Sequence, residues 1–140
     1  MSGVTAKRVV IAEDEALIRM DLAEMLAEEG YDVVGQAGDG EEAVRLAIEQ
    51  RPDLVILDVK MPGLTGTDVI KLIRGSSTGG HVKVMFYSST DTHELRALSE
   101  KHGAQGYLTK AASMSELEFR VREVLGDQLR VSRKSPLRSS

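Results

Sequence analysis

Five short apolar runs, each followed by a stretch of helical periodicity, constrain this chain more than any other feature. Val9-Val10-Ile11-Ala12 opens the series. The stretch after it sets Ile18, Leu22, Met25 and Leu26 on one helical face, with Gly30 placed to end the helix. Val33-Val34 marks a weaker second strand. Asp39-Gly40-Glu41-Glu42 has the form of a capping box, and Val44, Ala47 and Ile48 follow at helical spacing. Pro52 closes that unit. Leu54-Val55-Ile56-Leu57 is apolar without alternation, the pattern of a strand buried on both faces at the centre of a parallel sheet. A loop from Met61 to Gly66 leads into a helix marked by Val69, Ile70 and Ile73, and a loose Ser/Thr/Gly loop runs from Gly75 to Gly80. The fourth unit pairs a strand over Val82–Tyr87 with a helix from Asp91, at capping-box spacing from Glu94, to His102. Gly106-Tyr107-Leu108 is the fifth strand. Ser113 and Glu116 cap a last helix whose inner face is Leu117, Val121, Val124 and Leu125.

Strands alternating with helices demand right-handed crossovers and a parallel sheet covered on both faces. The expected fold is a three-layer, doubly wound (βα)5 sandwich of the flavodoxin-like class, with strand order 2-1-3-4-5. Hydrophobic residues make up 41% of the 140, enough for one buried core. The expected division is an N-terminal extension over 1–6, one domain over 7–126, and a basic, disordered tail over 127–140. That tail has no acid after Asp127 and carries Arg130, Arg133, Lys134 and Arg138. Without cysteine, disulfides, zinc–thiolate sites and cysteine nucleophiles are excluded. A net charge of -4 argues against direct nucleic-acid binding. No apolar run approaches the ~20 residues of a membrane helix, and the opening MSGVTAK lacks the apolar core of a signal peptide. A cytoplasmic protein without membrane contact is expected.

In open α/β sheets, sites form beyond the carboxyl ends of the strands. There the sequence supplies Glu13-Asp14-Glu15 after the first strand, Asp58 after the third, Ser88-Ser89-Thr90 after the fourth and Lys110 after the fifth. Ionised carboxylates ~5 Å apart repel by roughly 3 kcal/mol per pair at an effective dielectric of ~20. A cluster of three therefore works against stability unless something neutralises it. A hard cation such as Mg2+ (or Mn2+) does so through oxygen ligands while keeping positions open to phosphate oxygens. Without an ion, one carboxyl is expected to have a raised pKa or to recruit Lys110. Asp58 suits attack on phosphorus to give an aspartyl phosphate. Lys110 then pairs a phosphoryl oxygen, and Ser88, with Ser89 beside it, contacts another. A carboxylate is already ionised at neutral pH, so no base is needed. His81, His93 and His102 are read as surface residues.

From about Lys7 to Gly126 the chain resembles the receiver domains of two-component response regulators. The matching residues are Glu13-Asp14, Asp58 with Met61-Pro62-Gly63 and Gly66, Ser88, and Gly106-Tyr107 with Lys110. Their spacing matches too: 44 residues from Asp14 to Asp58, 30 on to Ser88 and 22 on to Lys110. The resemblance implies that Asp58 accepts phosphate from the phosphohistidine of a histidine kinase or phosphotransfer protein. It implies that Asp14 and Asp58 bind the metal directly, with the Lys60 backbone carbonyl as a third ligand and Glu13 acting through water. It implies a coupled switch pair, Ser88 and Tyr107. It also implies an output face of helix four, strand five and helix five, which controls a downstream protein effector. Such regulators assist their own phosphorylation and dephosphorylation without being enzymes in the ordinary sense. Lys60 and Thr90 are placed to set the rate of phosphate loss, with Lys60 expected to slow it. A dimer through helices four and five is expected to draw on Arg96, Glu100, Arg120 and Glu123. The stretch from Ile11 to Ala43 also resembles receivers that precede RNA-binding antiterminator helices, but no such helical domain is read here.

The chain departs from the pattern at two places. Ala111-Ala112 follows Lys110 where the family usually has proline, often after a cis peptide, which puts the resting position of Lys110 in question. Ser88 stands for the commoner threonine and lacks the methyl that restricts the rotamer. A haloacid-dehalogenase-type phosphohydrolase would need a second Asp two residues after the nucleophile, where this chain has Lys60. A flavin-binding flavodoxin would need a Ser/Thr/Gly loop where this chain has Glu13-Asp14-Glu15. The alternative that shares every residue above is a receiver-like adaptor that works without phosphate.

Overall fold

The structure is a computed structural model that describes residues 5–77 and 79–126. The basic tail over 127–140 and the first four residues of the extension lie outside the described residues. Five parallel strands, β1 (Arg8–Ala12), β2 (Asp32–Ala37), β3 (Leu54–Leu57), β4 (Lys83–Ser88) and β5 (Gly106–Thr109), form one sheet in the order β2-β1-β3-β4-β5. Between and after them run α1 (Ala16–Glu28), α2 (Gly40–Gln50), α3 (Gly66–Gly75), α4 (Thr92–His102) and α5 (Met114–Leu125), with a 3-10 turn over Gly79–His81. The expected class and strand order are those observed.

Strand side chains alternate between faces, and the core divides accordingly. Val9, Ile11, Leu54, Ile56, Met85 and Tyr87 point to one side, where α1 brings Leu22 and Leu26 and α5 brings Leu117 and Val121. Val10, Ala12, Val55, Leu57, Val84 and Phe86 point to the other, against Ala43 and Ala47 of α2, Val69, Ile70 and Ile73 of α3, and Leu95 of α4. Every residue of β3 is buried, as its unbroken apolar run requires.

Several local readings are refined. The inward stripe of α2 is Gly40, Ala43 and Ala47, while Ile48 is 38% exposed, because small residues let this helix lie close to the sheet. Asp39 accepts from the Glu42 N–H, but the Glu42 carboxylate turns to the Gly38 N–H, so the box is half formed. Asp91 caps α4 through the His93 N–H instead of closing a box with Glu94. Full capping boxes occur at Ser113–Glu116 and at Thr65–Asp68, the second unread in the sequence. His81 and His93 are exposed and His102 is half-buried. No helix among the described residues is long and apolar enough to cross a membrane.

The loop after β3 is fixed by a close approach at Gly66. Its N–H donates to the Val59 carbonyl at 2.8 Å. A Cβ built there would lie 2.4 Å from the Asp58 carbonyl oxygen and 2.8 Å from the Val59 Cα. Both neighbours are backbone, so the strand end itself has to move. Overpacking of this kind costs about 1–3 kcal/mol. Gly66→Ala is expected to lose that much in urea denaturation and to shift the amide resonances of Asp58 and Val59.

Candidate functional site

Glu13 and Asp14 follow β1, Asp58 follows β3, Ser88 ends β4 and Lys110 follows β5. The parallel sheet sets all of them on one edge. Carboxylate oxygens of Glu13, Asp14 and Asp58 lie within 4.8 Å of one another; Glu13 and Asp58 are buried and Asp14 is exposed. The Lys110 ammonium sits against this group, 2.7 Å from Glu13 Oε1 and 3.0 Å from Asp58 Oδ2. Glu13 and Asp58 are also held locally. Glu13 Oε2 accepts from the Glu15 N–H at 3.0 Å, and so serves the start of α1, whose N-cap Glu15 gives no side-chain cap. Asp58 Oδ1 accepts from the Lys60 N–H at 3.1 Å.

The charges respond to burial and to one another. Burial raises the Glu13 pKa, and the hydrogen bonds from Lys110 and from the Glu15 N–H only partly offset it. Burial alone would lower the Lys110 pKa, but its bonds to Glu13 and Asp58 raise it overall, so the ammonium stays charged. The sequence posed a raised carboxyl pKa and recruitment of Lys110 as alternatives; both occur.

The other residues singled out in the sequence lie as follows. Ser88 and Thr90 are buried, and their hydroxyls meet at 3.0 Å. Ser89, between them, is exposed. Lys60 is exposed and borders a cleft of ≈ 580 Å³ with Asp14, Val59, Met61, Pro62 and Leu98, open beside the acidic cluster. Tyr107 is half-buried against the core under α2–α4, and its carbonyl accepts from the Arg120 guanidinium. Arg96 pairs with Glu100 at 3.2 Å and Arg120 with Glu123 at 3.1 Å, each within its own helix. The Lys110–Ala111 bond is trans, since the described residues include no cis peptide.

Two contacts were not read from the sequence. Arg19, in the first turn of α1, donates to the Glu13 carbonyl at 2.6 Å and so braces the loop that carries Glu13 and Asp14. The Ser88–Thr90 hydroxyl pair is the other. Helical spacing places Arg19 near the loop, but only the backbone path shows which carbonyl it meets.

The chain matches the family model for the response regulator receiver domain over residues 9–122. It is 52% identical over 111 residues to the transcriptional regulatory protein PdtaR of Mycobacterium tuberculosis, covering 79% of this chain and 53% of that one. It is 36% identical over 126 residues to the response regulator GacA of Pseudomonas aeruginosa, covering 89% of this chain and 58% of that one. The chain thus spans little more than half the length of these curated relatives. Among solved structures, the response regulator domain of Thermotoga maritima CheB superposes with a TM-score of 0.77 at 30% identity, over 87% of this chain and 98% of that one. The receiver domain of a Pseudomonas aeruginosa sensor histidine kinase superposes with a TM-score of 0.78 at 26% identity, over 88% of this chain and 100% of that one. That structure has a magnesium ion coordinated in its active-site cleft.

A buried acid whose folded pKa lies above its unfolded value favours folding only while protonated. The cost of ionising Glu13 therefore appears as pH rises through its raised pKa. In EDTA at pH 7.5, Glu13→Gln is expected to unfold at a higher urea concentration than the wild type. The advantage should have shrunk at pH 4.5, the ordinary glutamate value, once pH has fallen through the raised pKa. A variant less stable than wild type at both pH values would show that the contacts of the Glu13 carboxylate outweigh its burial.

Proposed function

The chain belongs to the response regulator receiver family of two-component signalling, and from that premise we propose that it is a switch phosphorylated on Asp58. The observation that carries the reading is the cluster of Glu13, Asp14 and Asp58 within 4.8 Å, with the Lys110 ammonium against it. Three carboxylates held this close favour a divalent cation, and the magnesium in the sensor-kinase receiver supports that choice. Asp14 and Asp58, the Lys60 backbone carbonyl, and Glu13 through water would hold Mg2+ (or Mn2+). Bound there, the ion neutralises charge on the transferring phosphoryl oxygens.

The donor is the phosphohistidine of a histidine kinase or phosphotransfer protein. An Asp58 carboxylate oxygen forms the new P–O bond as the P–N bond breaks, and the electron pair leaves on the imidazole. Lys110, already beside Asp58, pairs one phosphoryl oxygen, and Ser88 and Ser89 contact another. The Ser88 hydroxyl and Tyr107 ring form the switch. Phosphate shifts the population because it binds one packing of α4, β5 and α5 better than the other. That face controls a downstream protein effector or a second copy through α4 and α5. Lys60 and Thr90 set the rate of phosphate loss. The domain works in the cytoplasm, without direct contact to nucleic acid or membrane. The word transcriptional in the PdtaR name describes that longer protein.

Intact-mass spectrometry after incubation with Mg2+ and acetyl phosphate, repeated with candidate kinases, tests the acceptor. Wild type is expected to gain one phosphoryl group, with none on Asp58→Asn or in EDTA. A wild type that gains no mass from any donor would favour the phosphate-independent adaptor. The Lys60 side chain is exposed beside the acidic cluster. Lys60→Ala is therefore expected to shorten the phosphate lifetime several-fold; an unchanged lifetime removes Lys60 from rate control.

A further inference from the structure

We infer that Thr90 is a positioning residue, a latch that holds the Ser88 hydroxyl in its resting rotamer and so sets how readily the switch engages phosphate. The inference rests on the phosphoacceptor reading above. Ser88 is fully buried and Thr90 is 4% exposed. Ser88 Oγ lies 3.0 Å from Thr90 Oγ1 and accepts from the Thr90 N–H at 3.3 Å. The Ser88 carbonyl accepts from the Lys110 N–H at 2.9 Å, which fixes the backbone of residue 88 and leaves the side chain as the part free to turn.

A serine lacks the branch at Cβ that restricts a threonine rotamer. Here two contacts from Thr90 supply the restriction from outside. The competition is set by geometry. In the resting arrangement the two hydroxyls lie 3.0 Å apart, and either can be the donor. When Asp58 carries phosphate, the one hydrogen of the Ser88 hydroxyl must point to a phosphoryl oxygen, and turning it there breaks the pair. Because the pair is buried, no water replaces the partner that is given up. Thr90 thus opposes engagement by about one hydrogen bond, while the methyl that the site lacks at residue 88 is compensated by the hydroxyl two residues on.

Two measurements test this. The first is the Ser88 χ1 rotamer from Hα–Hβ couplings in EDTA, which involves no phosphate. Wild type and Thr90→Ser should show one rotamer, and Thr90→Val, with the same shape but no hydroxyl, an averaged one. The second is calorimetric titration with beryllofluoride and Mg2+. Thr90→Val should bind about 2- to 10-fold more tightly than wild type, the worth of one hydrogen bond, and Thr90→Ser should match wild type. In a Ser88→Ala background, Thr90→Val should change nothing. Averaged couplings in the wild type, no tightening in Thr90→Val, or equal tightening in both backgrounds would each overturn the latch. A wild type with one rotamer that binds no beryllofluoride sinks the phosphoacceptor reading and reduces the latch to a structural turn.

Discussion

The site depends on one ammonium. Lys110 extends from the end of β5 past β4 to reach carboxylates that follow β3 and β1. At usual strand spacing, β5 and β3 are ~10 Å apart, so a long side chain and a small β4 terminus are both required. Ser88 meets the second need, and its carbonyl also receives the Lys110 N–H. The ion pairs do not make the cluster comfortable. Burial still raises the Glu13 pKa despite the bond from Lys110. Two buried acids and one half-buried cation leave a net negative charge, and the exposed Asp14 adds to it. The fold therefore maintains a site whose best state includes further positive charge. Its own rigid parts carry the cost: the all-buried β3, the backbone contact at Gly66, and the Arg19 brace on the β1–α1 loop.

Most of this frame was legible in the sequence because it rests on patterns with a period. The run Leu54–Leu57 announced a strand buried on both sides, and five βα repeats fixed parallel strands and hence one edge for their ends. Glu13, Asp14, Asp58, Ser88 and Lys110 then had to converge. The finer contacts followed no period. A hydroxyl pair such as Ser88–Thr90 depends on the path of a loop, because two residues apart on a strand they would share a face without their oxygens meeting. Capping signals were ambiguous for the same reason. Asp39 and Glu42 stand at box spacing, yet the Gly38 N–H competes for the Glu42 carboxylate. In α2 the period and Ala47 were read correctly but Ile48 was set on the wrong face, since Gly40 and Ala43 offered less hydrophobicity but the closer fit.

The departure at Ala111 shows how a site tolerates loss of a family feature. A proline there has no N–H to satisfy; an alanine brings one into the turn after β5. The structure gives that N–H to Thr109 Oγ1 at 3.3 Å, and the next N–H, of Ala112, to the Thr109 carbonyl at 3.0 Å. Thr109 thus does by hydrogen bonding what the ring does by covalent constraint. The peptide before Ala111 is trans, and Lys110 still reaches both Glu13 and Asp58. Without the proline, a displaced lysine could have left Asp58 unneutralised, yet the ammonium stands 3.0 Å from its carboxylate. What distinguishes this domain is instead how its turns are restrained. At both Ser88 and Ala111 a covalent restriction common in the family is absent, and a threonine hydroxyl close by in the chain supplies a hydrogen bond in its place.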